Sequence, residues 1–232
     1  MIKSGDGSGF NLNRFKEASA LGIIRGATPD SVEGVVEACV SGGLQFVEFT
    51  LNSDGALSFI ETGSKKFADS LCIGAGTVLS VSEATQAFNA GAQFIVSPTL
   101  NDDVAFYCRE KGLAYFPGAF TPTEIEKAWN AGAAMVKVFP ASQMGPDYLK
   151  TLLGPFNDIL LMAVGGIHAS NADDYLRAGA SAVAIGGSVL SPVRMKNKEY
   201  EIIKAEISEF VLAVRAYCSK IGRVSNQSES LR

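Results

Sequence analysis

The chain has 232 residues, of which 47% are hydrophobic and 19% charged, and its formal net charge is −4. This length can fold as one domain with a full core, and the negative charge argues against nucleic acid or an anionic membrane as the main partner. The four cysteines are scattered and include no C-x-x-C pair, which argues against a disulfide scaffold or zinc site and fits a reducing cytosol. Residues 1–10 are polar and glycine-rich, so we expect no signal peptide, no membrane span and a cytoplasmic protein.

Short apolar segments alternate with longer amphipathic segments from residue 21 onward. The short segments are rich in β-branched and aromatic residues and are bounded by glycine or proline, which is typical of buried parallel strands. Eight such segments occur in the chain: Gly22–Gly26, Gln45–Leu51, Leu71–Val78, Phe94–Pro98, Leu113–Gly118, Met135–Pro140, Ile159–Gly166 and Ala182–Gly187.

Helix start and stop signals lie between these segments. Ser80 precedes a helical pattern, and Thr121 and Glu124 have the spacing of a capping box with Pro122 in the first turn. Gly-Gly or Ala-Gly pairs follow several of the helical patterns, as the chemistry of helix carboxyl ends requires.

The alternation of eight strand signals with helix signals predicts an α/β fold, specifically a closed (β/α)8 TIM barrel. A doubly wound open sheet is the alternative, but the first strand is not followed by the G-x-G-x-x-G turn of a dinucleotide-binding version. We expect one domain over residues 1–232, with a catalytic core over about 20–215. We also expect an extra amino-terminal helix over 10–20 at the bottom of the barrel, a last long helix over 199–221, and a polar tail over 223–232.

Two charged residues are predicted to point into the barrel, because side chains alternate along a strand. The valines on each side of Lys137 suit the helix-facing side, which directs Lys137 inward, and the same argument directs Glu48 inward. A buried ion pair is one interpretation, although removing two charges from water costs several kcal/mol per ion. A catalytic interpretation is favoured, since burial lowers a lysine pKa and supplies the neutral amine that attacks a carbonyl.

Arg25 and Thr77 are predicted at the mouth of the barrel. Arg25 interrupts the apolar first strand where it emerges, and its planar guanidinium suits a substrate carboxylate or phosphate, although a surface arginine would give the same pattern. Thr77 closes the sequence Gly74-Ala75-Gly76-Thr77 on the third strand. Its hydroxyl can donate to a carboxylate, and the glycines leave space for a ligand to approach the backbone.

Glycine pairs follow the last two predicted strands. Gly165-Gly166 ends the seventh strand, and Gly186-Gly187-Ser188 ends the eighth. Barrels often bind a phosphate at this place through backbone N–H groups and a helix amino terminus. Each pair alone is compatible with turn geometry, but their occurrence together predicts a phosphate site.

The chain contains one histidine, His168, which is too few for a zinc-dependent aldolase site, and no H-E-x-x-H or C-x-x-C motif replaces it. We therefore expect no metal and no cofactor. Phe139, one inward step beyond Lys137, is expected either to wall the pocket or to pack in the core.

The segments singled out above, taken together, resemble the family of 2-keto-3-deoxy-6-phosphogluconate and 2-keto-3-deoxy-6-phosphogalactonate aldolases, which also act on 4-hydroxy-2-oxoglutarate. The resemblance covers about residues 20–215. The matching segments are Ile24–Gly26, Val47–Leu51, Gly74–Val78, Val96–Pro98, Phe116–Gly118, Lys137–Pro140, Gly145–Lys150, Val164–Gly166 and Gly186–Ser188.

The resemblance implies a metal-independent, class I aldolase that cleaves a phosphorylated 2-keto-3-deoxy sugar acid to pyruvate and glyceraldehyde 3-phosphate, and that also splits 4-hydroxy-2-oxoglutarate to pyruvate and glyoxylate. Lys137 would form a Schiff base with the C2 carbonyl, and Glu48 would shuttle protons. Arg25 and Thr77 would hold the carboxylate. The other implied substrate contacts are Pro98, Phe139, Val164, Gly165, Gly166, Gly186, Gly187 and Ser188, of which the glycines and Ser188 serve the phosphate. Family members are typically trimers, so a homotrimer is expected.

Two positions depart from gluconate-type members of the family. Those members have an arginine after the Thr-Leu of the second strand, where this chain has Asn52 after Leu51, and a threonine before the glycines of the seventh strand, where this chain has Val164. Galactonate-type members resemble this chain at both positions. A valine cannot hydrogen-bond the epimeric C4 hydroxyl, so the resemblance favours the galactonate epimer.

Two other functions are compatible with the barrel. A sugar-phosphate isomerase or decarboxylase would more naturally show an Asp-x-Lys-x-x-Asp arrangement, and Lys137 has no such carboxylates around it. A non-catalytic phosphosugar-binding barrel would keep the glycine pairs but would not need Glu48 opposite Lys137.

Overall fold

Parallel strands alternate with helices in the computed structural model, which describes residues 9–222. All registered strand pairs are parallel, and the strand order is β5-β4-β3-β2-β1-β9-β8-β7-β6. The predicted TIM barrel is thus confirmed as a nearly closed barrel. The strands are β1 (Ala20–Ile24), β2 (Phe46–Thr50), β3 (Cys72–Gly76), β4 (Phe94–Val96), β5 (Ala114–Phe116), β6 (Gly118–Ala119), β7 (Val136–Val138), β8 (Leu161–Val164) and β9 (Ala182–Ile185).

The helices follow the predicted start signals. Ser80 and Thr121 each form a complete capping box, with Glu83 and Glu124 respectively. The predicted polar tail, residues 223–232, lies outside the described residues. The helices are α1 (Leu12–Ala18), α2 (Val32–Ser41), α3 (Ala56–Lys66), α4 (Val81–Asn89), α5 (Asp102–Lys111), α6 (Pro122–Asn130), α7 (Pro146–Leu152), α8 (Ala172–Arg177), α9 (Pro192–Lys196) and α10 (Tyr200–Lys220), with a short 3-10 helix over Ala141–Gln143.

The predicted fifth strand is not continuous. It is divided at Pro117 into β5, which pairs with β4, and β6, which pairs with β7, so the described barrel has nine strand segments where eight were predicted. Proline has no N–H group to continue the ladder, although the Pro117 carbonyl still accepts from the Lys137 N–H at 2.9 Å. At Gly118 a Cβ would lie 2.0 Å from the Pro98 carbonyl oxygen, so only glycine permits this close approach of neighbouring chains.

The interior and the helix-facing layer contain different sets of buried residues, as strand alternation requires. Val47 and Val136 belong to the large cluster between the strands and the helices. Phe46 and Met135, their sequence neighbours, belong to the second cluster, inside the barrel. Lys137 and Glu48 are each two residues further along from these interior positions, so they also point inward.

The bottom of the barrel is closed by aromatic side chains. The predicted extra helix is present as α1, and its buried Phe15 packs edge-on against Phe46 and Phe116, with ring centroids 4.9 and 5.3 Å apart. Phe10 and Phe94 complete this cluster. Among residues 9–222, none of the helices combines the length and apolar composition that a bilayer crossing would need.

Candidate active site

Lys137 on β7 and Glu48 on β2 are brought together inside the upper part of the barrel. Lys137 is 6% exposed and Glu48 is 1% exposed. Strand β7 pairs with β8, and β2 lies between β1 and β3, so the two side chains come from different sides of the barrel. Inward alternation, which predicted both positions from the sequence, is therefore what makes them meet.

Burial opposes the charge on both groups. Burial lowers the pKa of Lys137, while the Glu48 carboxylate raises this pKa and the Arg25 guanidinium lowers it. Burial likewise raises the pKa of Glu48, and the positive charges of Lys137 and Arg25 act in the opposite direction. Burial therefore disfavours the charged form of both groups, while the opposite charge of each favours the charged form of the other, a combination typical of catalytic acids, bases and nucleophiles.

The two groups do not form a closed ion pair. Within residues 9–222, no carboxylate oxygen lies within 4.0 Å of the Lys137 Nζ, and Oε2 of Glu48 is buried without a hydrogen-bond partner. An unsatisfied buried oxygen is costly. Its presence beside a buried amine indicates a place where a ligand or water supplies the missing partner.

Gly76 provides the space in which the Glu48 carboxylate lies. A Cβ at Gly76 would be 2.5 Å from Oε1 of Glu48, and a Cβ at Gly74 would be 2.4 Å from the ring of Phe94. The sequence predicted that these glycines leave space for a ligand. That prediction is wrong, because protein side chains fill the space beside both glycines. Gly76 acts on the site indirectly, through the position of Glu48.

Arg25 and Thr77 follow β1 and β3 directly and meet at the mouth of the barrel. The Arg25 Nη2 donates to the Thr77 hydroxyl at 3.3 Å. Thr77 has a φ angle of 57°, an unusual conformation for a β-branched residue, and such strain is concentrated at functional sites. The structure therefore places these two predicted residues next to each other, above the buried pair.

Three further predicted residues lie around this centre. The ring centroid of Phe139 is 5.2 Å from the Lys137 Nζ, and the side chain is 40% exposed, so Phe139 lines the opening and does not pack in the core. Val164 is buried inside the barrel at the end of β8. Pro98 follows β4, is half-buried, and has its carbonyl oxygen against Gly118.

The two predicted glycine turns lie next to each other after β8 and β9. Val189 and Leu190 donate their N–H groups to the Gly186 carbonyl at 2.9 and 2.8 Å, which closes the second turn. The Ser188 hydroxyl donates to the Ile167 carbonyl at 3.4 Å and so links the second turn to the first.

The amides of these turns remain available to a ligand. Within the described part of the chain, the N–H groups of Gly166, Gly187 and Ser188 donate to no protein acceptor, and a Cβ at Gly187 would meet nothing within 4 Å. Unpaired backbone N–H groups clustered at one place form an anion-binding concavity.

Two residues that contribute to the site were not predicted. The Ser53 hydroxyl accepts from the Gly26 N–H at 2.8 Å and lies 3.0 Å from the Thr50 hydroxyl, so it fixes the loop that carries Arg25. Asn171 donates to the Gly166 carbonyl at 2.9 Å. The only signal in the sequence is a polar residue shortly after a strand, which is common in loops.

A parallel barrel with a buried lysine beside a buried carboxyl group defines a class of protein, the lysine-dependent barrel aldolases. Over residues 12–206 the chain matches the KDPG and KHG aldolase family. The chain belongs to this family and is an aldolase of the Schiff-base class. This agrees with the predicted function and leaves no support for the isomerase and non-catalytic alternatives.

Individual relatives agree with this assignment. The chain is 36% identical to the probable 2-dehydro-3-deoxy-6-phosphogalactonate aldolase of Rhizobium meliloti (strain 1021), over 76% of this chain and 84% of the relative. It is 31% identical to the protein of a solved native KDPGal structure, with a TM-score of 0.80, over 86% of this chain and 96% of that one. It is also 30% identical to a cube-shaped protein cage designed by fusing symmetric oligomeric domains, with a TM-score of 0.81, over 88% of this chain and 74% of that one.

Proposed function

We propose that this chain cleaves 2-keto-3-deoxy-6-phosphogalactonate to pyruvate and glyceraldehyde 3-phosphate through a Schiff base on Lys137. The observation that carries the proposal is the buried, unpartnered Oε2 of Glu48 in electrostatic contact with the buried Lys137 amine. The galactonate aldolase relative from Rhizobium meliloti supports the substrate class. Cleavage of 4-hydroxy-2-oxoglutarate to pyruvate and glyoxylate is proposed as a second activity of the same centre, since the family description includes it.

The reaction begins with attack of the neutral Lys137 amine on the C2 carbonyl of the substrate. Glu48 passes protons between nitrogen and oxygen, so the carbinolamine loses water and leaves a protonated imine. The Glu48 carboxylate then takes the proton of the C4 hydroxyl, the C3–C4 bond breaks, and its electron pair moves into the imine to give an enamine. Return of the proton to C3 and addition of water release pyruvate and restore the lysine.

The ends of the substrate are held by the mouth of the barrel. Arg25 and Thr77 bind the carboxylate at the pyruvate end, which places C2 over the lysine. The phosphate accepts hydrogen bonds from the free amides of the two turns, and the Phe139 ring covers the reacting carbons. The remaining proposed contacts are Pro98, Val164, Gly165, Gly166, Gly186, Gly187 and Ser188.

The preference for the galactonate epimer rests on Val164. Its side chain is apolar and buried inside the barrel, so it offers no hydrogen bond to a C4 hydroxyl. Comparison of kcat/KM on the two epimers measures the preference, and faster cleavage of the gluconate epimer would contradict it.

Trapping with pyruvate and borohydride tests the proposed centre. Borohydride reduces a pyruvate imine to a stable adduct, which peptide mass spectrometry assigns to a residue. We expect the adduct on Lys137, and we expect Lys137→Met to abolish both the adduct and turnover, because methionine keeps the side-chain length without the amine. Lys150→Met, which changes an exposed lysine of α7, serves as the control and should retain both. An adduct on another lysine, or no adduct with folded protein, would refute the mechanism.

We propose further that the chain assembles as a homotrimer, as its family resemblance implies. The side chains of Leu79, Val81 and Phe106 are exposed at the start of α4 and on α5, and Val81 and Phe106 line one surface hollow together. Exposed apolar groups that adjoin in this way are typical of an interface. We call these three residues the α4–α5 patch.

A further inference from the structure

In the first glycine turn, the carbonyl groups of Gly165 and Gly166 each accept a hydrogen bond from the protein. The Gly165 carbonyl accepts from the Ser142 N–H at 3.1 Å, and the Gly166 carbonyl accepts from the Asn171 Nδ2 at 2.9 Å. Both glycines have positive φ angles, 97° and 74°. A Cβ at Gly166 would lie 2.5 Å from the Ser142 side chain, so the turn is packed closely against its support.

The planar trans peptide fixes where the opposite ends of these groups point. In each peptide unit the N–H points away from the C=O of the preceding residue. The Gly166 N–H therefore faces away from Ser142, and the Ile167 N–H faces away from Asn171. Within residues 9–222 neither N–H donates to a protein acceptor, and an unpaired amide in a buried residue such as Ile167 is costly unless a ligand accepts from it.

The carboxamide of Asn171 makes all of its hydrogen bonds within this loop. Its Oδ1 accepts from the His168 N–H at 2.9 Å, and its Nδ2, besides donating to Gly166, lies 3.1 Å from the His168 Nε2. Asn171 stands at the amino-terminal cap of α8, yet its side chain makes no capping hydrogen bond to that helix. Helix capping therefore does not explain the side chain, whereas orientation of the turn does.

We infer that Asn171 is a positioning residue for the phosphate end of the substrate, and that the Ile167 N–H is a further phosphate donor. The inference rests on the proposed function. A carbonyl oxygen that faced the phosphate would repel it. Asn171 turns the Gly166 carbonyl away from the phosphate and thereby directs the Ile167 N–H toward it. The phosphate site thus has donors from Gly166, Ile167, Gly187 and Ser188, and the side chain that aligns one of them touches no substrate atom.

Steady-state kinetics on two substrates test this role. The substrates are 2-keto-3-deoxy-6-phosphogalactonate and the same sugar acid without its phosphate. For Asn171→Ala we expect KM for the phosphorylated substrate to rise about tenfold, the size of losing one hydrogen bond to a charged group. We expect kcat, and kcat/KM for the unphosphorylated substrate, to change less than about twofold, because neither depends on the phosphate contacts.

Two other variants keep the test decisive. Asn171→Asp retains the acceptor for the His168 N–H but loses the donor to Gly166, so it should raise the same KM even if Asn171→Ala folds poorly. Because this variant adds a negative charge, its KM is compared at low and high salt, where repulsion fades and the lost hydrogen bond persists. Asn11→Ala removes a cap of α1 at the other end of the barrel and should leave both substrates unaffected. A KM that does not change, or equal losses on both substrates, would overturn the inference.

Binding of inorganic phosphate separates this inference from the proposed function. Calorimetry should show weaker binding of phosphate by Asn171→Ala than by the unchanged chain. If the unchanged chain binds phosphate but cleaves neither substrate, the proposed function fails while a loss of binding in the variant still supports the role of Asn171. If the unchanged chain shows neither phosphate binding nor any preference for the phosphorylated substrate, both proposals are wrong.

Discussion

Lys137 and Glu48 are the residues whose surroundings depart most from those of an ordinary surface charge. Burial lowers the pKa of Lys137, and the Glu48 carboxylate opposes this shift, while Arg25 adds to it. Replacing either neighbour should therefore move the pH at which the amine becomes neutral. The direction differs for the two neighbours, because one is negative and the other positive.

The pH dependence of pyruvate trapping should report these opposite effects. In Glu48→Gln the ammonium form loses a stabilising negative charge, so the pKa of Lys137 falls and the acid limb of the profile moves to lower pH. In Arg25→Met the ammonium loses a repelling positive charge, so the limb moves to higher pH. The trapping rate at saturating pyruvate, measured across pH, checks both, and displacement of both limbs in one direction would contradict the assigned charges.

Loss of the proton shuttle proposed for Glu48 should also slow turnover. Glu48→Gln keeps the shape of the side chain but cannot exchange a proton, so we expect kcat to fall by about a hundredfold or more, the usual contribution of general acid–base catalysis. A variant with nearly full activity would exclude Glu48 from proton transfer.

Individual residues were predictable where a regular pattern constrained them. Lys137 and Glu48 interrupt strands whose alternation has two possible directions, and only one of these places their apolar neighbours against the helices. Ser53 and Asn171 lie in loops, where no period relates sequence position to direction. Their importance follows from hydrogen bonds to backbone groups, across loops for Ser53 with Gly26 and within one loop for Asn171 with Gly166, and these bonds have no sequence signature.

At the scale of strands and helices, helix starts were predicted more accurately than strand ends. The Ser80 and Thr121 caps are local chemistry and were found at their predicted positions. The predicted strands ran past their true carboxyl ends, so that Thr77 and the glycines of 165–166 lie in loops. Ladder pairing ends where neighbouring strands separate, and the division at Pro117 likewise depends on chain packing around Gly118.

The Glu48 carboxylate of β2 packs against Gly76 of β3, and this contact leads to a prediction about Gly76. Alanine there would place a Cβ 2.5 Å from the Glu48 Oε1, and the flexible carboxylate would have to shift. The backbone of Gly76 does not have a positive φ, so alanine suits the strand. We expect Gly76→Ala to lower kcat by about a hundredfold, as loss of the proton shuttle does, with a small change in unfolding temperature.

A double-mutant cycle checks that Gly76 acts through Glu48. If both changes disable the same carboxylate, Gly76→Ala combined with Glu48→Gln should be no slower than Glu48→Gln alone. If the two decreases in kcat multiply in the double variant, Gly76 instead contributes to the site independently of Glu48.

For the whole molecule, the α4–α5 patch predicts assembly. Phe106 is 57% exposed in the single chain, which leaves a large apolar side chain in water. We expect Phe106→Glu to reduce the mass measured by sedimentation from about three times that of the 24.4 kDa chain to one chain, since a buried unpaired carboxylate opposes association. Leu212→Glu, at an equally exposed residue of α10, should leave the mass unchanged. A single-chain mass before any substitution would refute the trimer.

The aromatic cluster of Phe15 with Phe46 and Phe116 closes the barrel at one end, so the interior is open only at the other end. Substrate then enters and products leave through the same opening, so the two products of cleavage must leave one after the other. In the proposed mechanism the phosphorylated aldehyde, bound at the open end, leaves first, while the three-carbon fragment stays covalently bound to Lys137. Excess aldehyde should therefore drive the enzyme backward toward carbon–carbon bond formation, a direction useful for synthesis.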